Sequence, residues 1–221
     1  MKERRIPFSG PMILALLDNK IETRRVIKPQ PWQNKFGTWI WEPKGWQHCW
    51  AAASAEQLAR MIMSPKPSIC PYGQAGDIIL ATETWRLHEI TKGAPAFSVK
   101  VEYRATGSIS DWIRVEYTMV MHQAIRYWQA HPTHWRPARY MPKEFSRIKR
   151  EIVEVRAERL QDIDWSGLIA EGWSGRRTLA WMENGARAWF IALWDSINAK
   201  RGYPYSSNPW DWVLTFKKVE A

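Results

Sequence analysis

The chain has 221 residues and a mixed composition, which fits one domain with a large hydrophobic core. It carries 32 Lys and Arg against 22 Asp and Glu, a net charge of +10 that favours partners bearing phosphate groups. No run of 18 apolar residues occurs, so we expect no membrane-spanning helix.

Two features of the composition indicate where the protein works and what it contacts. The first seven residues lack the apolar stretch of a signal peptide, and Cys49 and Cys70 are the only cysteines. We therefore expect a cytoplasmic location without a disulfide framework. The 16 tryptophans exceed what a core of this size normally uses. Their rings fill cores, but they also stack on bases.

The first predicted elements are a short strand and a helix. Residues 6–9 predict the strand, and Pro11 to Leu17 predict a helix with proline in its first turn. An extended segment follows from Lys20 to Ile27, and Pro29 and Pro31 end it.

The start of this extended segment places an amine, a hydroxyl and two guanidiniums within six residues. Alternation along a strand puts Lys20, Glu22 and Arg24 on one face, with Thr23 and Arg25 on the other. A bend at either end would bring Lys20 and Thr23 to the rim of one pocket. Such a site suits a polar, anionic or carbonyl-bearing ligand, whereas the alternative is a solvated, charged edge strand.

Residues 30–70 predict an irregular insertion, because prolines and glycines interrupt it. Within it, Trp39 to Trp41 predict a short strand and residues 51–63 a short helix. Regular structure resumes with a buried strand in residues 76–85. A half-buried strand over residues 97–103 follows it.

The second half predicts another irregular insertion, at about 106–146, and then regular elements. These are a long strand over 147–160, a helix within 162–172, an amphipathic helix over 178–200 and a last strand over 210–216. Strands and helices do not interleave regularly. The sequence therefore predicts the α+β class, as a small, mostly antiparallel barrel with flanking helices and two insertions in a single domain, 1–221.

Five segments, in order along the chain, resemble ASCH-domain proteins of the PUA-like superfamily, and more closely a longer group encoded by bacterial viruses and prophages. The segments are Phe8 to Met12 with Lys20 to Arg25, Cys70 to Asp77 with Glu83 to Trp85, Trp135 to Pro137 with Met141 and Pro142, Leu160 to Ile163 with Ala170 to Gly172, and Leu193 to Asn198 with Asn208 to Trp210. The resemblance implies a PUA-like β-barrel with a cleft that receives a nucleobase or nucleoside.

Some short ASCH proteins are amidohydrolases that remove the acetyl group from N4-acetylcytidine. The resemblance implies that Lys20, Thr23 and Glu171 match their catalytic lysine, threonine and glutamate, and that Arg25 matches an arginine two residues after that threonine. Amide hydrolysis needs an activated water and a proton donor for the leaving amine. A buried lysine with a lowered pKa can serve as base and then as acid, and the glutamate can orient the water or accept from the exocyclic amine. Thr23 can position the acyl group or the water.

Glu83 and Trp85 are further candidates for substrate binding, together with Arg25. Glu83 follows an apolar strand, so we expect it to be partly buried and paired with Lys20 or Arg25. It would form either a carboxylate pair with Glu171 or a buried ion-pair network. Trp85 ends the strand, where its ring stacks on a base or packs in the core.

Residues 126–150 combine seven Lys and Arg with one acid and five aromatic residues. Cations interleaved with rings suit single-stranded RNA or DNA, because the cations follow the phosphates and the rings stack on bases. The alternative is a basic loop that its aromatic side chains anchor to the fold. The candidate nucleic-acid-binding residues are Arg126, Trp128, Trp135, Arg136, Arg139 and Lys143.

The histidines and cysteines do not predict a metal site. His48, Cys49 and Cys70 match no paired zinc motif, and the two histidines of the segment 131–134 lack helical zinc spacing. We expect no metal and no cofactor.

Three functions stay open on the sequence. The first is binding of nucleic acid or a modified nucleoside through a cleft and a basic, aromatic-rich face. The second is hydrolysis of N4-acetylcytidine-type nucleosides. The third is a viral protein that acts on a host protein, since exposed rings serve protein partners equally well.

Overall fold

Helices and strands follow one another irregularly along the chain, and the α+β class is confirmed. The computed structural model describes residues 1–18, 20–44, 49–64, 70–93, 96–116, 118–173 and 181–219. The described α-helices are α1 (Gly10–Asp18), α2 (Ala55–Met63), α3 (Met119–Ala130), α4 (Trp165–Ala170) and α5 (Trp181–Asn198). The described strands are β1 (Glu3–Pro7), β2 (Glu22–Val26), β3 (Trp32–Gln33), β4 (Trp39–Trp41), β5 (Trp50–Ala52), β6 (Ile78–Thr82), β7 (Trp85–Gly93), β8 (Ala96–Tyr103), β9 (Ile113–Glu116), β10 (Ile148–Arg159) and β11 (Trp210–Lys218).

The chain divides into two compact units. Unit 1 comprises Met1–Asp18, Ile78–Arg150 and Lys218–Ala221, and unit 2 comprises Asn19–Asp77 and Glu151–Lys217. The predicted insertion at 30–70 therefore lies in unit 2, and the one at 106–146 lies in unit 1. The prediction of a single domain stays a prediction.

Unit 1 contains a parallel strand pair and an antiparallel sheet. β1 runs parallel to β6, with Glu3 opposite Ile78. The sheet has the order β7-β8-β9. Alternate residues of β8 are buried, as its predicted period of two requires. They pack in a core with β7, α3 and Phe145, and the Tyr103 hydroxyl donates to the Phe145 carbonyl at 2.9 Å.

Unit 2 contains two sheets and the two C-terminal helices. β11 lies between β10 and β2, and it pairs antiparallel with β2. Val26 of β2 packs against α4 and α5 in an apolar core. The sheet β3-β4-β5 supplies Trp39 and Trp41, whose rings lie edge-on to Trp210 and Trp212 at 5.4 and 6.3 Å. These four tryptophans pack within unit 2.

The prediction of an irregular region at 106–146 is wrong, because β9 and α3 lie within it. The Thr118 hydroxyl accepts a hydrogen bond from the Met121 N–H and so caps α3. Helical spacing then buries Ile125 and Trp128. The basic side chains between the N-cap and the buried positions made this helix difficult to predict. Strand β7 was also not predicted.

Other predicted elements agree with the structure over part of their length. The insertion at 30–70 holds three short strands and α2, while residues 45–48 and 65–69 lie outside the described residues. The helix predicted over 178–200 is confirmed from Trp181, and residues 178–180 also lie outside that range. Among the described strands no closed barrel forms, so the barrel stays a prediction. No helix within the described ranges is long and apolar enough to cross a membrane.

Two glycines in helices of unit 2 provide a matched test of this packing. A Cβ at Gly167 in α4 would lie 2.9 Å from Ile163 Cγ1 and 3.4 Å from Arg24 Nη2, whereas one at Gly185 in α5 would meet nothing within 4 Å. We expect Gly167→Ala to lower the free energy of unfolding by about 1–3 kcal/mol through overpacking. Gly185→Ala should raise it by about 0.5–1 kcal/mol, because alanine favours helix. Urea unfolding measures both, and equal effects would contradict this description of α4.

Candidate functional site

Seven charged side chains of unit 2 contact one another around β2, and we call them the charge cluster. They are Lys20, Glu22, Arg24, Arg156, Glu158, Glu171 and Asp211. Lys20 is 1% exposed, Glu171 3% and Asp211 0%, so much of this charge lies away from water. Buried charges are stable only when they are paired and hydrogen-bonded.

Lys20 and Glu171 form the first contact in the charge cluster. The Lys20 amine donates to the backbone carbonyl of Glu171 at 2.8 Å and also to Oε2 of its carboxylate. Backbone bonds position both residues. The Ile21 N–H donates to the Ala170 carbonyl at 3.0 Å, which joins the start of β2 to the end of α4. The Glu171 N–H donates to the Gly167 carbonyl at 2.8 Å and closes the last turn of α4.

Arg24 is the centre of the charge cluster, because its guanidinium contacts four carboxylates. Nη1 pairs with Glu22 and lies 3.8 Å from Oε1 of Glu171. Nη2 lies 3.0 Å from Glu158, and Nε lies 3.4 Å from Oδ2 of Asp211. The planar fork of an arginine allows one side chain to hold several acceptors in fixed directions.

Arg156 completes the charge cluster on its more exposed side. Its Nη2 lies 2.7 Å from Oε2 of Glu22, its Nε pairs with Glu158, and its Nη1 donates to the Thr215 hydroxyl at 3.0 Å. Glu22 and Glu158 therefore each bridge two arginines, which fixes the orientation of Arg24.

Burial shifts the ionisation of three members of the charge cluster. It lowers the pKa of Lys20, and the carboxylate of Glu171 opposes that shift. It raises the pKa of Asp211 well above the usual range, against the attraction of Arg24. Burial alone would lower the pKa of Arg24, but Asp211, Glu171 and the other carboxylates raise it overall.

Several buried oxygens of this region make no hydrogen bond within the described part of the chain. They are Oε1 of Glu171, Oγ1 of Thr23 and both carboxylate oxygens of Asp211. Oε2 of Glu171 thus holds Lys20, while Oε1 is buried 3.8 Å from Arg24 Nη1 and accepts no hydrogen bond within the described part of the chain.

The predicted faces of β2 are confirmed for three residues. Glu22 bonds Arg24, and both Lys20 and Arg24 contact Glu171, so these side chains lie together. Thr23 lies between Glu22 and Arg24, and strand alternation directs it to the other face. Its hydroxyl is fully buried and bonds neither Lys20 nor Glu171. The structure therefore joins two of the three predicted catalytic residues by direct contact.

Arg25 shares the second face of β2 with Thr23. Its guanidinium carbon lies 6.0 Å from the centre of the Tyr72 ring. Burial lowers the pKa of Arg25, and Tyr72 opposes that shift. The sequence did not single out Tyr72 as a neighbour.

The other two candidate substrate-binding residues lie in unit 1. Glu83 is 2% exposed, and its carboxylate accepts from Nε and Nη2 of Arg147 at 2.9 and 3.2 Å, so Arg147 is the partner instead of the expected Lys20 or Arg25. Glu83 also lines a cavity of about 440 Å³ with Thr84 and Arg104. Trp85 is fully buried and lies perpendicular to Trp128 at 4.9 Å, which favours packing over base stacking.

The basic and aromatic stretch of unit 1 divides into exposed and buried parts. Arg126, Arg139 and Lys143 are exposed. The half-buried ring of Trp135 lies 4.6 and 5.7 Å from the guanidinium carbons of Arg86 and Arg104. Trp128 is buried, as is Arg136, which donates to the carbonyls of His134, His131 and Trp128 at 2.9, 3.2 and 3.4 Å.

Sequence reasoning missed three members of the charge cluster: Arg156, Glu158 and Asp211. The available signal was strongest at Asp211, a carboxylate between two tryptophans in an otherwise apolar strand. A charge in such a strand needs a buried partner. From the sequence, Arg156 and Glu158 are expected on the solvent-exposed face of β10.

Comparisons with known proteins give no relative from which to infer function. No family model, curated protein or solved structure matches the chain. Among the described residues, no group of three or more His, Cys, Asp and Glu is placed to hold a metal ion, and His48 lies outside those residues. The resemblance to ASCH-domain proteins therefore stays a prediction from the sequence segments.

Removing one partner of the buried Lys20–Glu171 pair should be costly. We expect Lys20→Met or Glu171→Gln alone to lower the free energy of unfolding by about 3–5 kcal/mol, because an unpaired charged group then stays buried. The double variant should lose less than the sum, by about 0.5–3 kcal/mol of coupling.

The control for this cycle is Lys217→Met, because Lys217 is 61% exposed and pairs with Glu151 at 3.2 Å on the surface. It should cost less than about 1 kcal/mol. Urea unfolding of the wild type, the two single variants and the double variant gives the coupling free energy, and the control is unfolded in the same way. Strictly additive losses for Lys20 and Glu171 would show that the pair contributes nothing.

Proposed function

We propose that the protein hydrolyses an acyl amide on the exocyclic amine of a cytidine-like nucleoside. The observation that carries the proposal is the contact between the Lys20 amine and the Glu171 carboxylate within the charge cluster. The substrate class, the PUA-like fold and the viral ASCH group are proposed with it, on the resemblance of the sequence segments. A cytoplasmic location fits two cysteines that form no disulfide.

Glu171 is suited to orient the attacking water. Its Oε2 is fixed by Lys20, while its Oε1 has no hydrogen-bond partner among the described residues. A carboxylate held on one side accepts a hydrogen bond from water with the other oxygen and directs the water towards an amide carbon. Nη1 of Arg24 lies 3.8 Å from Oε1.

Lys20 is suited to move the proton. Because burial lowers the pKa of its amine, a larger neutral fraction exists near neutral pH than for an exposed lysine. Water adds to the amide carbon as its proton passes to Lys20. The carbon–nitrogen bond then breaks as Lys20 returns that proton to the leaving amine. The products are a carboxylic acid and the free exocyclic amine.

Thr23 does not enter these steps, because its hydroxyl bonds neither Lys20 nor Glu171. Its buried hydroxyl lies on the opposite face of β2, where Arg25 also lies. Thr23→Val should therefore slow hydrolysis much less than a change at Lys20.

Incubation with N4-acetylcytidine and chromatography of the products test the reaction. The wild type and Lys217→Met should release cytidine, and Lys20→Arg should be slower by at least about 100-fold, because arginine keeps the cation beside Glu171 but cannot give up a proton. The rate should rise with pH towards the lowered pKa of Lys20. Unchanged turnover in Lys20→Arg, or no cytidine from the wild type, would contradict the proposal.

A second candidate function is binding of single-stranded nucleic acid by unit 1. This unit carries 16 Lys and Arg against 9 Asp and Glu, so +7 of the net charge of +10 belongs to it. Arg126 and Arg139 are exposed beside the rings of Tyr127 and Tyr140, which are 58% and 63% exposed. Exposed cations beside exposed rings match the way single strands are bound.

A charge-matched pair of triple variants tests this binding. Arg126→Ala with Arg139→Ala and Lys143→Ala should weaken affinity for single-stranded RNA or DNA and reduce the salt slope by about 2, from three lost phosphate contacts. The control removes three exposed cations of unit 2, Lys35, Lys44 and Arg60, and should leave affinity nearly unchanged. Equal losses in both variants would show that only net charge matters.

A further inference from the structure

Asp211 is the most buried acid of the charge cluster and the least satisfied. It lies in β11 opposite Val26 and is 0% exposed. Its Oδ2 is 3.4 Å from Nε of Arg24, yet neither of its oxygens makes a hydrogen bond within the described part of the chain. An ionised carboxylate in such a position is strongly disfavoured.

The rest of the charge cluster is already balanced without Asp211. Three cations, Lys20, Arg24 and Arg156, contact the carboxylates of Glu22, Glu158 and Glu171, and the 60% exposed carboxylate of Glu154 lies outside the charge cluster at 3.7 Å from Arg156. Ionised Asp211 would add one negative charge without a cation to match it. A neutral carboxylic acid at this position leaves the charge cluster without net charge.

We propose that Asp211 is held as a neutral carboxylic acid in the folded protein, and that it is a positioning residue for Glu171, acting through Arg24. While Asp211 is neutral, Arg24 is directed to Glu22, Glu158 and Glu171. When Asp211 ionises, it competes with Glu171 for the guanidinium. The role of Glu171 rests on the proposed function, whereas the protonation of Asp211 does not.

Burial and every charged neighbour of Asp211 except Arg24 favour its neutral form. Burial raises its pKa, Arg24 opposes the shift, and Glu158, Glu171 and Glu22 raise it further. Because the folded-state pKa lies above the usual value of 3.8, the contribution of Asp211 to stability is fully present below that value. It is lost as the pH rises through the folded-state pKa.

Carbon-13 NMR of protein labelled at its Asp and Glu carboxyls tests the protonation directly. The Asp211 signal, assigned through bonds in the wild type and by its loss in Asp211→Asn, should have the shift of a neutral acid at neutral pH. When it titrates at higher pH, the Glu171 signal should move with it, and in Asp211→Asn that movement should vanish. An ionised Asp211 at neutral pH, or a Glu171 signal indifferent to its titration, overturns the proposal.

Thermal unfolding gives a second readout that does not need activity. Asparagine has the shape of the neutral acid, so Asp211→Asn should unfold at the same temperature as the wild type at low pH and at a higher one as the pH rises. Asp162→Asn, an exposed acid of the same unit, should show no such trend. A lower unfolding temperature for Asp211→Asn at neutral and higher pH would mean that it removed an ion-pair partner of Arg24.

The pH profile of hydrolysis then separates this proposal from the proposed function. If the wild type hydrolyses N4-acetylcytidine, its rate should fall as Asp211 ionises, and Asp211→Asn should keep its rate over that range. A wild type that hydrolyses with the same profile as Asp211→Asn overturns the positioning role and leaves the proposed function standing. A wild type without activity overturns the proposed function, and the NMR result still decides the state of Asp211.

Discussion

The burial of Arg24 is the constraint on which the architecture of unit 2 depends. A guanidinium that is almost wholly removed from water needs anionic neighbours, and four carboxylates from β2, β10, β11 and the end of α4 lie within 4 Å of it, although its Nε makes no hydrogen bond within the described part of the chain. Gly167 belongs to the same constraint, because a side chain there would approach Arg24 Nη2. The tighter contact of such a side chain would be Ile163 Cγ1, at 2.9 Å.

The same burial that makes the charge cluster costly also makes it chemically useful. Desolvation lowers the pKa of Lys20, against the attraction of Glu171, and raises that of Asp211, while Arg24 lies 3.8 Å from the same Glu171 carboxylate. An ion network that only stabilised the fold would be replaceable by apolar side chains. In this network Oε1 of Glu171 lies 3.8 Å from Arg24 and accepts no hydrogen bond within the described part of the chain.

Local sequence patterns predicted the features that depend on neighbours along the chain. They did not predict which side chains pair over long sequence separations. Alternation placed Lys20, Glu22 and Arg24 on one face, and the resemblance placed Glu171 with Lys20. The pairing of Glu83 with Arg147 spans 64 residues, and no local pattern encodes it. Likewise, Arg136 reads as a surface cation, but three backbone carbonyls accept from it inside unit 1. Asp211 was detectable only as a charge in an apolar strand.

The central claim is that the Lys20 amine is a proton carrier that a nucleoside can reach. The most direct measurement is nitrogen-15 NMR of the Lys20 amine, titrated with and without N4-acetylcytidine. The account predicts that the amine titrates below the usual lysine value of 10.5, and that the nucleoside shifts both its resonance and its midpoint. A Lys20 signal that titrates at the usual value and ignores the nucleoside would contradict it and leave a purely structural ion pair.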